Sequence, residues 1–305
     1  MPTSAAKVLG WTMKKPFKNY GKKYASDGFT AYWLVELDDR QPEDPVLIFC
    51  HGGGFVFPLS LPQVWLLTAI VRAFPSVRLN VLILDYSLSP EHRYPTQIEE
   101  IASLYRHLLD VEACENIVLA GESCGGNLIL ALLAHLKHGF PTASPTTSKC
   151  KDTAVKGAIL ISPWVNLAIE AVVHDADSSY VKNAHEDILN TERLCFWANE
   201  YCPDKLTRQT SPWVSPVLLI KENIGFWENV LPARTLITWG EEELMKDDVA
   251  RFASMTNISN AFEVPNGVHV DVLFQSKSPV YDKIIAFLEG VFEAKSVDSS
   301  TSTIL

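Results

Sequence analysis

The chain has 305 residues, of which 47% are hydrophobic and 20% charged, a composition typical of a globular protein with a sizeable core. Its formal net charge of −10 argues against nucleic acid as a partner and gives no attraction to anionic membranes. A chain of this length is expected to form one or two domains, and α/β folds of this size often form one.

Apolar strand patterns alternate with helical patterns along most of the chain. Strands are predicted at residues 29–37, 45–50, 81–85, 117–120, 155–162, 235–239 and 261–264. Helices are predicted at residues 63–74, 97–109, 127–138, from about 247, and at 279–294. This alternation predicts right-handed crossovers and an α/β fold, with a mostly parallel central sheet covered by helices on both faces.

Three stretches fall outside this alternation. Residues 165–230 hold many aromatic residues and no regular strand–helix order. Residues 141–154 are rich in Pro, Ser, Thr and Lys and are predicted to form a surface loop. The Ser/Thr-rich tail at 296–305 is predicted to be disordered.

The six cysteines show no C-x-x-C spacing, so we expect free thiols in a reducing, cytoplasmic compartment and no structural metal site. A disulfide between Cys195 and Cys202 is left open. No apolar run reaches the about 18 residues of a membrane-spanning helix, and the N-terminus lacks the apolar segment of a signal peptide. Lysines between residues 7 and 23 precede the first acid, Asp27, which predicts a solvated, partly helical arm. A transit peptide is the alternative, and the lack of arginine there argues against it.

Residues 116–127 contain the most informative motif of the chain. A short apolar strand pattern leads into G-E-S-C-G at 121–125, and a helical pattern follows. Strand, tight turn and helix form the context of a nucleophile elbow, in which the hydroxyl of Ser123 would stand at a helix N-terminus that favours negative charge. Such a five-residue pattern also occurs by chance as a plain turn, so the prediction depends on partner residues elsewhere.

The sequence His51-Gly52-Gly53-Gly54 follows a predicted strand, at the end where ligands bind in open α/β sheets. Glycines let backbone N–H groups approach a ligand closely. Acyl transfer needs such donors, together with the N–H after the nucleophile, to hold the negative oxygen of the tetrahedral intermediate. Gly53, Gly54 and Cys124 are therefore the predicted oxyanion hole. The alternative, a flexible glycine turn, is disfavoured because an elbow lies downstream.

His269 is the predicted general base. Of the eight histidines, it alone follows the last predicted core strand, as the order serine, acid, histidine requires. A lone loop histidine is otherwise more often a plain surface residue. For the acid, residues 240–248 offer five carboxylates, and the residues alone do not choose among them: Glu241, Glu242, Glu243, Asp247 and Asp248. Most of them are expected to be solvated charges at a helix N-terminus.

Together these motifs resemble the hormone-sensitive-lipase-like esterase family of the α/β-hydrolase fold. The matching blocks run in the family's order over roughly residues 30–290: HGGGF at 51–55, YSLSPEHRYP at 86–95, GESCGGNL at 121–128, SPWV at 162–165, SPV at 215–217, and the acid and histidine loops. SPWVNL and GESCGGNL are most similar to fungal steryl acetyl hydrolases, whose membrane anchor this chain is expected to lack. The resemblance implies a single domain over residues 1–295, with a cap formed by residues 1–30 and 165–230.

The resemblance also implies a catalytic triad of Ser123, Glu243 and His269 that hydrolyses carboxylic esters through an acyl-enzyme, without a metal or cofactor. The family pattern G-x-x-D-x-L-x-D begins here at Gly240, so Glu243 stands where the family has its triad Asp. Asp247 matches the later Asp of the pattern and is predicted to charge or cap the N-terminus of the following helix.

The predicted substrate is a small hydrophobic ester with a short acyl group, acetyl to butyryl. This rests on the resemblance and on aromatic residues that could wall off the site: Trp164, Tyr180, Phe196, Trp197, Tyr201 and Trp213. The alternative for each is a place in the core. Two other functions stay open: a hydrolase-fold ligand-binding protein without catalysis, and hydrolysis of amides or peptides. The filled triad positions argue against the first.

Overall fold

Eight strands form one sheet in the computed structural model, which describes residues 5–10, 15–143, 154–218, 225–275 and 277–301. The strands are β1 (Lys23–Ser26), β2 (Phe29–Val35), β3 (Val46–Cys50), β4 (Asn80–Leu84), β5 (Ile117–Glu122), β6 (Val155–Ile161), β7 (Thr235–Gly240) and β8 (Asn260–Val264). Their order across the sheet is β1-β2-β4-β3-β5-β6-β7-β8. Strand β2 runs antiparallel to both its neighbours, and the other pairs are parallel, which confirms the predicted α/β architecture.

Helices cover both faces of the sheet. They are α1 (Ala5–Gly10), α2 (Leu61–Ala73), α3 (Thr96–Asp110), α4 (Cys124–His138), α5 (Ser179–Lys182), α6 (Thr191–Tyr201), α7 (Lys205–Thr210), α8 (Lys246–Met255) and α9 (Pro279–Thr301). Helices α3, α4 and α8 contribute to the core on one face, and α1, α2 and α9 to the core on the other. Strand β3 shows the division, because Ile48 and Cys50 point into the first core while Leu47 and Phe49 point into the second. Burial on both faces explains the continuous apolar runs of the central strands.

The N-terminal arm contains a helix and its described lysines are exposed, as predicted, but one face of that helix is buried. Ala5, Val8 and Leu9 share one face of α1 and are buried in the core beside α2 and α9. Their spacing is that of an amphipathic helix, but a helix of six residues is too short to be predicted from such a pattern. The structure also places residues 23–26, within the predicted cap, as the edge strand β1. The remainder of the predicted cap over residues 1–30 stays a prediction.

Other boundaries moved by a few residues. Helix α4 begins directly at Cys124 and not at residue 127, because the turn from β5 into the helix takes the single residue Ser123. Helix α9 continues to Thr301, beyond the predicted end at 294, so the predicted disorder is wrong for residues 296–301; residues 302–305 of the predicted tail lie outside the described residues. Most of the predicted surface loop, residues 144–153, lies outside them as well.

The described cysteines are free thiols, as the sequence predicted. Cys195 and Cys202 are both free thiols, so the disulfide left open by the sequence is not formed. Cys50, Cys114 and Cys124 are free as well, and Cys150 lies outside the described residues. Within the described ranges, no helix combines the length and apolar character that crossing a membrane requires.

Candidate active site

Ser123 forms the whole turn between β5 and α4. Its backbone has φ 54° and ψ −123°, a left-handed conformation that an L-residue adopts at a cost of about 1–3 kcal/mol. The turn is tight because α4 passes directly over β3. A Cβ atom at Gly125 would overlap the carbonyl oxygen of Cys50 at the end of that strand. Glycine at 125 is therefore required by close packing, and it lets the helix begin immediately after the serine.

Residues 51–55 form the glycine loop. Hydrogen bonds on either side of Gly53 and Gly54 attach this loop to the turn at Ser123. The N–H of Gly52 donates to the Glu122 side chain, and the N–H of Phe55 donates to the Cys124 Sγ at 3.1 Å. Gly54 has φ 62°, and a Cβ atom there would lie 2.7 Å from the Trp197 ring. These contacts hold the predicted oxyanion loop against the residues on either side of Ser123.

The N–H of Cys124 is the first of α4 and therefore has no acceptor within the helix. Behind the loop, the Tyr86 hydroxyl donates to the His51 carbonyl oxygen at 2.8 Å, and the two rings stack with centroids 4.3 Å apart. Burial raises the pKa of the Cys124 thiol to about 12, so this side chain is a neutral packing group under the loop.

Ser123, His269 and Glu243 form a continuous chain of polar contacts. The Ser123 Oγ lies 3.0 Å from the His269 Nε2, and the His269 Nδ1 lies 3.3 Å from a Glu243 carboxylate oxygen. All three side chains are buried, with 8%, 3% and 0% of their surface exposed. The structure thus brings together the three residues predicted as serine, acid and base, although they are far apart in sequence.

Among the candidate carboxylates, Glu243 is the one that contacts the histidine. Its other oxygen accepts hydrogen bonds from the Ser162 hydroxyl and from the Gly240 N–H, the latter at 2.6 Å. Asp247 is exposed in the first turn of α8 and accepts from the Ser179 N–H at 2.7 Å. The N-cap residue of α8, Met245, makes no side-chain hydrogen bond to the helix, and the Asp247 N–H donates to the Ser179 hydroxyl at 3.3 Å, so Asp247 sits near the helix N-terminus as a charge and does not cap it.

Two of the remaining carboxylates, Asp248 and Glu241, have partners of other kinds. Asp248 is buried and accepts from the Asn166 side chain and the Tyr180 hydroxyl, both at 2.9 Å. Glu241 accepts from the Asn266 N–H at 3.0 Å. The choice that the sequence left open is therefore decided by distance, in favour of Glu243 as the neighbour of His269.

Opposing effects set the protonation of the buried pair. Burial lowers the pKa of His269, but its hydrogen bond with Glu243 and the charges of Glu243, Asp187 and Glu122 outweigh this, so the net pKa is raised. Burial raises the pKa of Glu243, and its contacts with His269, Ser162 and Gly240, which favour the carboxylate form, offset this only in part, so the net pKa is raised. A negative acid beside a histidine of raised basicity is suited to proton transfer from a serine hydroxyl.

The aromatic residues predicted to wall off the site divide into two groups. Trp164, Tyr180 and Tyr201 are buried in the core, which was the alternative for each of them, and Trp213 packs against that core. Phe196 is 60% exposed, and Trp197 is half-buried over Gly54. These two residues of α6 line a cavity of about 850 Å³ together with Phe57, Pro58, Tyr86, Leu88 and other residues.

Some residues that position the site were not identified from the sequence. Ser162 supports Glu243, Glu122 supports the glycine loop, and Asp187 contacts the backbone of His269. Glu122 and Ser162 lie within the quoted motifs, but nothing in the motifs shows which partners they reach. Asp187 has no sequence signal, because its partners come from two distant loops. In the described part of the chain, no group of three or more His, Cys, Asp or Glu residues is placed to hold a metal ion.

Comparison with known proteins shows the family of the chain. The steryl acetyl hydrolase family profile matches residues 12–284. The chain is 28% identical to the putative steryl acetyl hydrolase mug81 of Schizosaccharomyces pombe, over 86% of this chain and 69% of that protein. It is 27% identical to steryl acetyl hydrolase 1 of Saccharomyces cerevisiae, over 73% of this chain and half (50%) of the yeast protein. An esterase of Acinetobacter venetianus is 31% identical over 76% of this chain and 69% of its own length.

Solved structures show the same fold. An esterase from the bacterial hormone-sensitive lipase family superimposes with a TM-score of 0.66 at 25% identity, covering 88% of this chain and 82% of its own. An esterase/lipase from an uncultured bacterium gives a TM-score of 0.66 at 25% identity, covering 89% and 83%. The fold and these neighbours place the chain among the esterases of the α/β-hydrolase fold. Within that class, it belongs to the steryl acetyl hydrolase family.

Proposed function

We propose that the protein hydrolyses carboxylic esters through an acyl-enzyme on Ser123, with a preference for short-acyl, chiefly acetyl, esters of a hydrophobic alcohol. The observation that carries the proposal is the chain of contacts from the Ser123 Oγ through His269 to Glu243, beside the glycine loop. The names of the family and of its fungal members support acetyl as the acyl group.

Acylation follows from the positions of these atoms. With its Nδ1 proton directed at Glu243, His269 has an unprotonated Nε2 that accepts the Ser123 proton as the Oγ attacks the ester carbonyl carbon. The carbonyl oxygen becomes negatively charged, and the N–H groups of Gly53, Gly54 and Cys124 hold it. His269 then returns the proton to the alcohol oxygen as the C–O bond breaks, which leaves the acyl group on Ser123.

Deacylation repeats the sequence with water. His269 takes a proton from the water that attacks the acyl carbon, and passes it to the Ser123 oxygen as that ester bond breaks. The products are the carboxylic acid and the free serine, so ester and water give acid and alcohol. Glu243 keeps the imidazole in the productive tautomer throughout and stabilises its protonated form.

Two features support a small acyl group and an apolar alcohol. Ser123 has only 8% of its surface exposed, which restricts the space around the reacting carbon. The cavity next to the glycine loop is lined by residues 56–58 and by α6 and not by the triad itself, and its Phe57 and Phe196, 55% and 60% exposed, offer an apolar surface for the alcohol. Because three of the predicted cap aromatics lie in the core, this support comes from α6 and the glycine loop.

We also propose that residues 165–230 form a cap of one α/β-hydrolase domain, and that the protein is cytoplasmic. Trp197 of α6 packs over Gly54, which supports a covering role for this region. The five described cysteines are free thiols, which a reducing compartment maintains.

The test is the kcat/KM of the purified protein on 4-nitrophenyl esters from acetyl to palmitoyl, on acetyl esters of alcohols of increasing size, and on a matching acetanilide. We expect the highest values for acetyl to butyryl esters, a gain with apolar alcohols, and no measurable anilide hydrolysis. Ser123→Ala should abolish turnover, whereas Ser254→Ala, an exposed serine on α8, should match the wild-type protein.

Three results would contradict the proposal in different ways. Binding of a hydrophobic ligand without turnover of any ester would indicate a non-catalytic binding protein. Preference for the anilide would indicate an amidase. A kcat/KM that rises steadily toward palmitoyl esters would show that the acyl group is not restricted in length.

A further inference from the structure

The segment from α5 to residue 188 lies across the two loops that carry Glu243 and His269. We propose that Asp187 in this segment is a positioning residue, whose carboxylate sets the spacing of the acid loop and the histidine loop. The inference rests on the proposed roles of Glu243 and His269 in ester hydrolysis, and it assigns a function to a residue outside every recognised motif.

The contacts of Asp187 join both loops through their backbones. One carboxylate oxygen accepts from the Leu244 N–H at 2.8 Å. The other accepts from the His269 N–H at 3.0 Å and from the Ile188 N–H at 2.7 Å. Leu244 directly follows Glu243, so a single side chain bonds the neighbour of the acid and the base itself.

The rest of the segment holds the acid loop alone. The Ser179 hydroxyl donates to the Leu244 carbonyl oxygen at 2.6 Å. The Asn183 side-chain amide donates to the carbonyl oxygens of Glu241 and Glu243 at 3.1 and 2.8 Å. The acid loop therefore satisfies several of its backbone groups with side chains of this segment. Through its hydrogen bond with the His269 N–H, Asp187 attaches the same segment to the histidine loop as well.

A second link between the loops comes from the sheet side. The Ser162 hydroxyl at the end of β6 donates to Glu243 and accepts from the Val270 N–H at 3.3 Å. Ser162 thus joins the two loops on the side of the sheet, and Asp187 joins them on the side of the segment that follows α5. The Glu243–His269 contact of 3.3 Å is already long for a hydrogen bond, so a small relative shift of the loops would break it.

The Asp187 carboxylate also acts on His269 through its charge. Glu243, Asp187 and Glu122 are the acidic groups whose charges raise the pKa of His269. Removing the charge of Asp187 lowers that pKa. Since the neutral imidazole is the active base, the acid limb of the kcat/KM profile then moves to lower pH. A residue that only stabilises the fold would leave this limb in place.

The test compares Asp187→Asn, Asp187→Glu and the matched control Glu186→Gln, which removes a charge from the adjacent exposed residue. The readouts are the pH profile of kcat and KM on an acetyl ester, and hydrogen exchange by mass spectrometry of peptides covering residues 241–247 and 266–272. The Asn variant keeps one acceptor oxygen and loses the other, because an amide nitrogen does not accept.

We expect Asp187→Asn to lower kcat about 10²-fold, the typical cost of a displacement of about 1 Å, with KM nearly unchanged. Its acid limb should move to lower pH, and both peptides should exchange faster together. Asp187→Glu keeps the charge, so its acid limb should stay in place while kcat falls. Glu186→Gln should match the wild-type protein in every readout.

The proposal is overturned if Asp187→Asn retains the wild-type kcat and exchange rates. It is equally overturned if exchange rises throughout the chain without a shift of the acid limb, since that indicates a general loss of stability. Hydrogen exchange is measured without substrate, so it remains informative if the protein turns over no ester. Coupled exchange of the two peptides without turnover would support the Asp187 link and contradict the proposed esterase activity instead.

Discussion

The serine side of the candidate site is fixed by residues close to it in short motifs, whereas the acid and histidine side is fixed by residues from distant parts of the chain. Ser123 lies between Glu122 and Cys124, and those two neighbours hold the glycine loop. Glu243 and His269 depend on Ser162 and Asp187, which belong to neither loop.

This difference has a physical origin. The serine turn is determined by sterics, because the strand and helix approach so closely that glycine at 125 is required. Steric demands of that kind leave a recognisable sequence pattern. The acid and histidine loops follow two neighbouring parallel strands, β7 and β8, and meet only at the edge of the sheet. Their alignment depends on hydrogen bonds whose partners the tertiary fold supplies.

Among the residues that support Ser123, the acid has the largest expected effect. Glu243→Gln keeps the size of the side chain but favours the wrong imidazole tautomer, a change that lowers kcat about 10⁴-fold in a serine protease. We expect a loss of that order with little change in folding, measured by steady-state kinetics and circular dichroism.

Asp247→Asn is the matched comparison, because it alters a carboxylate of the same loop region that does not contact His269. It should retain nearly full activity and lose less than about 1 kcal/mol of stability, since an exposed charge near a helix N-terminus contributes little. An inactive Asp247→Asn protein together with an active Glu243→Gln protein would show that the wrong acid has been assigned.

A smaller effect tests the glycine loop. In Gly54→Ala the new Cβ atom meets the Trp197 ring at a left-handed backbone position, so the loop must shift. Loss of one oxyanion donor typically lowers kcat about 10²–10³-fold, and we expect a loss in this range with KM less affected. Gly139→Ala is the control, because Gly139 also has a positive φ but has open space around it and lies at the far end of α4. Equal losses of kcat in the two variants would contradict an oxyanion role for Gly54.

Ser162→Ala should have a still smaller effect. It removes one donor from the buried Glu243, and a hydrogen bond to a charged group contributes about 1.5–3 kcal/mol. We expect kcat to fall about tenfold or somewhat more, and the melting temperature to decrease. Unchanged kinetics and stability would show that Ser162 does not support the acid.

The pH dependence is the mildest perturbation. Because the net pKa of His269 is raised, the midpoint of the acid limb of kcat/KM should lie above the ordinary histidine value of 6.5. Below that midpoint the imidazole is protonated and does not accept the serine proton, so kcat/KM should fall about tenfold per pH unit. A midpoint well below 6.5 would indicate that burial dominates over the neighbouring carboxylates.

The fold and the serine side could be predicted from the sequence because they depend on local patterns. The apolar runs located the strands, the G-E-S-C-G pattern located the serine turn, and the H-G-G-G pattern located the glycine loop. The buried face of α1 was missed because six residues are too few for a periodic pattern. Asp187 was missed because its significance depends on two loops that sequence reasoning places only approximately. Three cap aromatics proved to be core residues, a distinction that composition alone does not make.

The most direct test of the account is reaction of the purified protein with a fluorophosphonate, followed by proteolysis and mass spectrometry to locate the adduct. A single adduct on the peptide that contains Ser123, absent from Ser123→Ala and reduced in Glu243→Gln, is the predicted result. An adduct on another serine, or labelling that persists in Ser123→Ala, would contradict the assignment of Ser123 as the nucleophile.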